Sequence, residues 1–233
     1  MSRSLVCCWS RFVYRAVPFH YRKPALCVTT AVLPNTEAEN AVVSRESWRV
    51  FCAIALTSEA RDRVARHVAS LRQLVPDARA SWTRPENIHL TLKFLGDISP
   101  ASVSDLSDAA KRAVAKLEGF TIRVEQAGFF PPRGAPRVLW LGINDEEAQL
   151  AQLHDRLEVE CAKAGFPREN RPFRPHLTIA RLRQASHAAT LASTHLQMDF
   201  APVEVAISAL LVIRSELSSS GSKYTVISAA SLG

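Results

Sequence analysis

The stretch Asn87-Ile-His-Leu-Thr-Leu-Lys-Phe94 has a counterpart later in the chain, Arg174-Pro-His-Leu-Thr-Ile-Ala-Arg181. Both contain the tripeptide His-Leu-Thr, first at His89 and again at His176, 87 positions apart. In each stretch apolar residues alternate with polar ones, which is typical of a half-buried β-strand. Because successive side chains of a strand point to opposite faces, the His and Thr of each motif share a face. The repeat predicts two similar lobes that face each other across a cleft, each contributing one motif.

Regular patterns of apolar residues surround the two motifs. Short β-branched runs predict strands, whereas apolar residues that recur every three or four positions predict helices. The turn at 218–222 joins the last two strands as a hairpin, which favours antiparallel pairing. The order of these elements indicates an α+β fold with mainly antiparallel sheets. We predict strands at 48–56, 88–95, 120–124, 137–143, 176–181, 203–214 and 224–229, and helices at 58–75, 99–117, 146–164 and 185–194.

A cleft with two His and two Thr suits phosphodiester chemistry without a metal. A neutral His can take a proton from an attacking hydroxyl or water, while a protonated His gives a proton to the leaving oxygen. An ordinary His pKa near 6.5 allows both forms around neutral pH. We therefore predict His89 and His176 as catalytic residues. The hydroxyls of Thr91 and Thr178 would donate hydrogen bonds to the non-bridging phosphate oxygens.

Other kinds of active site lack their sequence signatures. Zinc binding by His89 and His176 would need further ligands at a useful spacing, and none is present. Neither a Gly-x-Ser-x-Gly nucleophile turn nor a Gly-x-x-x-x-Gly-Lys-Ser/Thr loop occurs. We therefore expect no metal and no cofactor. The histidines outside the motifs are predicted to be surface or structural residues: His20, His67, His154, His187 and His195.

Four stretches, 49–56, 84–97, 136–142 and 171–181, resemble the 2H phosphoesterase superfamily. More closely, they resemble the RNA 2′,3′-cyclic phosphodiesterases once named 2′-5′ RNA ligases, over about 46–230. The resemblance implies a two-lobed α+β fold with pseudo-twofold symmetry, helices on the outside and a central cleft. It implies hydrolysis of RNA 2′,3′-cyclic phosphate ends to 2′-phosphomonoesters, with reverse 2′-5′ RNA ligation. It also implies that His89 is the proton donor and His176 the proton acceptor.

Two basic residues close to the motifs are candidates for substrate binding. By strict alternation Lys93 shares the face of His89, while Leu92 and Phe94 lie on the opposite face and anchor the strand in the core. Arg181 falls on the face opposite its own histidine. It therefore reaches the phosphate only if the strand ends or bends.

Further candidates lie outside the motif strands. Arg133 belongs to a set of arginines that could form an RNA-facing rim, and Phe173 could stack on a base. The alternatives are a solvated surface for the arginines and core packing for Phe173. The other members of the rim are Arg137, Arg171 and Arg174.

The first 44 residues differ from the rest of the chain. They contain five basic and two acidic residues, no acid before Glu37, and no sustained periodicity. An Arg-rich, acid-poor start resembles a transit peptide, but the amphipathic helix of one is missing. A start codon placed too far upstream is another interpretation. We interpret residues 1–44 as a disordered or non-native extension, and residues 45–233 as one 2H phosphoesterase domain of two similar lobes.

Composition narrows the classes of protein and partner. A net charge of +7 and a pI near 9.5 suit an anionic partner such as nucleic acid or phosphate esters. No apolar run approaches the roughly 20 residues of a membrane-spanning helix, so we expect no membrane partner. The cysteines show neither disulfide nor metal-ligand spacing, which favours a reducing compartment. We expect a cytoplasmic monomer.

The sequence leaves three functions open. We predict a metal-independent phosphodiesterase on RNA with 2′,3′-cyclic phosphate ends. The first alternative is the same chemistry on small cyclic nucleotides or on ADP-ribose cyclic phosphate. The second is an RNA-binding module without catalysis, which the intact His and Thr pairs disfavour.

Overall fold

The computed structural model describes residues 46–183, 187–219 and 221–233. The predicted extension at 1–44, the start of the fourth predicted helix and one residue of the predicted turn at 218–222 lie outside this part of the chain. The helices are α1 (Ser58–Leu74), α2 (Val103–Val114), α3 (Gln149–Lys163) and α4 (Ala188–Gln197). The strands are β1 (Trp48–Ala55), β2 (Ala80–Trp82), β3 (His89–Ile98), β4 (Phe120–Phe130), β5 (Val138–Asn144), β6 (His176–Leu182), β7 (Val203–Ile207), β8 (Ala209–Ser218) and β9 (Gly221–Ser231).

The strands form two antiparallel sheets. The first sheet has the order β3-β1-β8-β9, and the second has the order β2-β6-β5-β4-β7. The motif strands β3 and β6 therefore belong to different sheets. These two strands contact each other, so the sheets meet along the strands that carry the two His-x-Thr motifs.

The structure differs from the sequence prediction at two strands. The prediction of one strand over 203–214 is wrong, because the chain forms β7, breaks at Ser208 and continues as β8. β7 pairs with β4 in the second sheet and β8 pairs with β1 in the first, so the chain crosses between the sheets here. The sequence does not predict β2, since three residues are too few to show a period.

The helices begin and end where the sequence places capping groups. The Thr57 side chain accepts a hydrogen bond from the Ala60 amide at 3.3 Å at the start of α1. The Asp145 carboxylate accepts bonds from the Leu150 and Ala151 amides at 3.1 and 2.9 Å, so α3 begins three residues later than predicted. Gly165, with φ of +88°, follows the end of α3 as expected for a C-terminal stop.

The helices cover the outer faces of the sheets, and the hydrophobic core is buried between the helices and the sheets. α2 contacts β8 and β9 while α3 contacts β3, and α1 and α4 contact β7 and β4 of the second sheet. The fully buried residues of this core include Leu71, Leu106, Leu153, Leu177 and Leu191. The predicted α+β class with external helices is confirmed. Among the helices described, none has the length and apolar character needed to cross a membrane.

Candidate active site

His89 is the first residue of β3, and aromatic rings hold it in place. Its imidazole stacks on Phe51 with the ring centroids 4.7 Å apart, and the edge of Tyr224 packs at 5.3 Å. Phe51 lies on the neighbouring strand β1, whereas Tyr224 comes from β9. The ring of His89 is therefore half-buried in a small apolar cluster on the face of the first sheet away from α2 and α3.

His176 is the first residue of β6 and has a similar aromatic setting. The ring of Phe130 lies edge-on at 5.1 Å, and the ring of Trp140 lies at 6.5 Å. Trp140 occupies this place because its neighbour on β4 is Gly128, where any Cβ would overlap the indole ring. The two histidines thus sit at equivalent points of the two sheets, each against aromatic side chains.

A matched hydrogen bond orients both imidazoles. Nδ1 of His89 donates to the Asn87 carbonyl at 2.8 Å, and Nδ1 of His176 donates to the Arg174 carbonyl at 2.7 Å. Because a carbonyl oxygen only accepts, the proton of each neutral ring resides on Nδ1. Nε2 of each ring is left as the atom that can gain or give a proton.

The environment lowers the pKa of both histidines below the ordinary value near 6.5. Burial is the main cause for each, because desolvation disfavours the charged imidazolium. The bonds to the Asn87 and Arg174 carbonyls oppose this shift. The positive charge of Arg181 lowers the pKa of His176 further, and no such cation among the described residues acts on His89.

Thr91 and Thr178 lie two residues beyond the histidines, on the same face of their strands. Both side chains are half-buried, and neither hydroxyl has a hydrogen-bond partner among the described residues. The backbone carbonyl of Thr178 accepts a bond from the Thr83 hydroxyl at 2.9 Å, which holds β6 in place. Both hydroxyls are therefore available to bind a ligand.

A β-bulge follows the His-x-Thr motif in each strand. In β3, Thr91 pairs with Ala53 and Lys93 pairs with Cys52, so Leu92 has no partner of its own. In β6, Thr178 pairs with Trp140 of β5 and Ala180 pairs with Leu139, so Ile179 has no partner on β5. Since a bulge adds one residue, the alternation of faces restarts out of phase beyond it.

The bulge in β3 overturns two predictions. Lys93 does not share the face of His89: it is 3% exposed, and its Nζ donates to Glu158 at 2.6 Å and to the Pro167 carbonyl at 2.8 Å. Phe94 is not a core residue, because 56% of its surface is exposed. Its ring packs 5.8 Å from Phe51, on the face that carries His89.

The bulge in β6 brings Arg181 to the face of His176. Ile179 and Ala180 are both buried, and Arg181 after them is exposed. The strand thus bends in the way that the prediction for Arg181 required. The effect of its charge on the pKa of His176 agrees with this position.

Comparison with known proteins identifies the family. A family model described as 2′-5′ RNA ligase superfamily matches residues 60–218. The chain belongs to this superfamily. An RNA 2′,3′-cyclic phosphodiesterase from Methanothermobacter thermautotrophicus is 33% identical over 178 residues, which cover 76% of this chain and 95% of that protein. The family resemblance drawn from the two motifs is thereby confirmed.

Two further relatives differ in the share of their length that matches this chain. An RNA 2′,3′-cyclic phosphodiesterase from Geobacillus stearothermophilus is 37% identical over 131 residues, 56% of this chain, and the match spans only 41% of that relative. The crystal structure of Escherichia coli LigT complexed with 3′-AMP is 28% identical with a TM-score of 0.64, covering 80% of this chain and 99% of LigT. The predicted 2H phosphoesterase fold is confirmed.

The substrate-binding candidates outside the motif strands have different surroundings, some packed or paired and others exposed. Phe173 stacks on His154 with the ring centroids 4.0 Å apart and packs against the core. Arg171 is paired with Glu169 at 2.8 Å, while Arg133 is exposed in the loop between β4 and β5. The predicted rim arginines Arg137 and Arg174 are also exposed.

Three histidines outside the motifs have structural settings, as predicted. His67 and His195 are buried, with Nε2 of His67 3.0 Å from Nδ1 of His195, and His154 is also buried. His187 is exposed, and His20 lies outside the described residues. Within 46–183, 187–219 and 221–233, no group of three or more His, Cys, Asp and Glu is arranged to hold a metal ion.

The sequence missed the aromatic residues that position the catalytic candidates. Phe51, Tyr224, Phe130 and Trp140 are distant from the motifs in the chain and approach them only across the sheets. The one usable signal is strand pairing, since Trp140 lies opposite Thr178. Without a known register, that signal cannot be extracted from the sequence.

Proposed function

We propose that this chain hydrolyses 2′,3′-cyclic phosphate ends of RNA to 2′-phosphomonoesters, with His89 and His176 as the catalytic pair. The observation that carries the proposal is the matched orientation of the two imidazoles, each with Nδ1 bound to a carbonyl and Nε2 left available. Relatives described as RNA 2′,3′-cyclic phosphodiesterases support the substrate class.

In the proposed reaction, each histidine moves one proton. Nε2 of neutral His176 takes a proton from water, and the water oxygen attacks the phosphorus. The bond from phosphorus to the 3′ oxygen breaks, and Nε2 of protonated His89 gives its proton to that oxygen. The products are a 2′-phosphate and a free 3′ hydroxyl. The same steps with the 5′ hydroxyl of a second RNA in place of water form a 2′-5′ phosphodiester and free the 3′ hydroxyl, which is the ligation that we propose as a side activity.

An asymmetry between the two halves supports this assignment of acid and base. The third residue after the Thr of the motif is Arg181 in β6 and the uncharged Phe94 in β3. The cation lowers the pKa of His176, which favours the neutral form that a base requires. His89 has no such neighbour among the described residues, and the bound phosphate anion would raise the pKa of its imidazole and stabilise its proton.

Three side chains are proposed to hold the phosphate. The hydroxyls of Thr91 and Thr178 donate to the non-bridging oxygens, where negative charge accumulates in the transition state. The guanidinium of Arg181 contributes a fixed positive charge from the same face as His176. Arg133 and Phe173 have no contact within the described part of the chain that favours a role in this step.

The test uses a short RNA that ends in a 2′,3′-cyclic phosphate, with excess chelator present. Wild type should produce the 2′-phosphate, and His89→Asn and His176→Asn should each lose most of the rate, because general acid–base groups typically contribute about 10²- to 10⁴-fold. The matched control is His187→Asn, since His187 is exposed at φ of +59°, a conformation that Asn tolerates. Equal rates in all four proteins would contradict the proposal.

A further inference from the structure

A basic cavity lies at the edge of the second sheet. It has a volume of about 510 Å³ and is formed by the last turn of α1, the segment that follows it, the edge strand β2 and the residue that follows β6. Three arginines line it, Arg72, Arg79 and Arg183, together with the indole of Trp82 and the side chain of Ser81. None of these residues belongs to the two motifs.

The charge of this cavity is not neutralised by the residues that the structure describes. Arg72, Arg79 and Arg183 are exposed, and none forms an ion pair with a carboxylate of those residues. No acidic residue among them lines the cavity. Three unpaired guanidinium groups around one concavity give it a positive potential that attracts anions, because their fields add there.

The cavity wall is connected directly to the proposed phosphate site. Ser81 lies opposite Arg181 in the pairing of β2 with β6, and the Thr83 amide donates to the Ile179 carbonyl at 2.9 Å. Arg183 directly follows the end of β6 and is five residues beyond Thr178, about 16 Å along the chain at roughly 3.3 Å per residue. That distance corresponds to a few nucleotides of an extended strand.

We propose that this cavity binds the phosphodiester backbone of the RNA nucleotides upstream of the cyclic end. The inference rests on the proposed function, and it deepens it by making the substrate an oligonucleotide. Guanidinium groups contact phosphate oxygens, and the half-buried Trp82 offers its exposed ring surface to a base. A single nucleotide cyclic phosphate fills only the cleft and gains nothing from these contacts.

The experiment compares two substrates in three proteins. The substrates are a nucleoside 2′,3′-cyclic phosphate and an RNA of ten nucleotides with the same cyclic end. The proteins are wild type, Arg79→Gln/Arg183→Gln, and the control Arg66→Gln, which removes an exposed arginine of α1 that does not line the cavity and has no ion pair among the described residues. The quantity compared is the ratio of kcat/KM on the RNA to kcat/KM on the nucleoside.

The proposal expects the ratio to fall about 10-fold in the double variant, at roughly the strength of two exposed charge contacts. The fall should be in KM for the RNA. The salt dependence of log kcat/KM should become shallower by about 1.4, because each arginine that no longer binds a phosphate accounts for about 0.7 of the slope. A wild-type ratio and slope in the double variant would overturn the proposal. So would an equal fall in Arg66→Gln, because the effect would then follow net charge alone.

A binding measurement separates this inference from the proposed function. If wild type turns over neither substrate, the proposed function fails, and the cavity is tested with a fluorescent ten-nucleotide RNA that ends in a 3′-phosphate. Weaker binding by the double variant than by Arg66→Gln then supports the cavity as an RNA site. Equal binding by the two variants overturns it.

Discussion

Lys93 provides the sharpest test of the bulge in β3, because the two possible faces predict opposite phenotypes. Its side chain is 2% exposed and forms a 2.6 Å ion pair with Glu158, whose side chain is 10% exposed. Glu158 also accepts a bond from the Glu169 amide at 3.0 Å, so its carboxylate is held in place. In Lys93→Met the carboxylate would stay in the core without its cation.

The expected cost of that change follows from the burial of the pair. Breaking a buried ion pair by removing one partner costs about 3–5 kcal/mol. For a domain of this size, each kcal/mol shifts Tm by roughly 2–4 °C, so Lys93→Met should lower Tm by about 6–20 °C. The double variant Lys93→Met/Glu158→Gln should recover most of that loss, because no unpaired charge remains buried.

Thermal unfolding followed by circular dichroism measures the stability, and hydrolysis of the cyclic phosphate measures the activity well below Tm. We expect a large decrease in Tm with kcat/KM close to wild type for Lys93→Met. A protein with wild-type Tm and a roughly 100-fold lower kcat/KM, the size expected for a group that stabilises the transition state, would refute the buried position. Lys93 would then face the phosphate, as strict alternation predicts.

The other predictions concern the catalytic cleft and a buried histidine pair. The pH profile of kcat/KM should be bell-shaped, with both limbs at lower pH than two ordinary histidines give, because burial lowers the pKa of His89 and His176; a monotonic rise to high pH would be inconsistent with this. Thr91→Val or Thr178→Val should lower kcat on the order of 10²-fold with little change in Tm, as expected when a transition-state donor is removed. Burial lowers the pKa of His67 to about 4, so its neutral form is favoured by folding. The stabilisation that the neutral imidazole of His67 gives to the folded protein is complete above pH 6.5, and about 2–3 kcal/mol of it should be lost as the pH falls from 6.5 to 4. Urea titrations at several pH values measure the free energy of unfolding, which should decrease less over this range in His67→Gln than in wild type.

The paired bulges explain how two nearly identical motifs come to have different surroundings. Each bulge comes directly after the Thr of its motif and turns the third residue beyond that Thr onto the face that carries the histidine. That residue is Phe94 in one sheet and Arg181 in the other. The same backbone irregularity therefore places an apolar ring beside Phe51 on the face of His89, and a positive charge on the face of His176.

Much of the fold could be predicted because the pattern of each element is local. The buried stripe of α1 at Val64, Val68 and Leu71 and the stop of α3 at Gly165 follow from spacing and backbone preference alone. The crossing at Ser208 could not be predicted, since β7 and β8 are both apolar and continuous in sequence. Only their partners, β4 and β1, assign them to different sheets.

The sequence by itself determined the two His-x-Thr motifs, their shared face within each strand, and the family. These properties depend on residue types and on the two-residue period of a strand, which are written in the order of the chain. Only the tertiary structure decided that Lys93 is buried with Glu158, that Arg181 reaches the face of His176, and that three arginines gather beside β2. A bulge is a mismatch between two paired strands, so it exists only once both strands and their register are known.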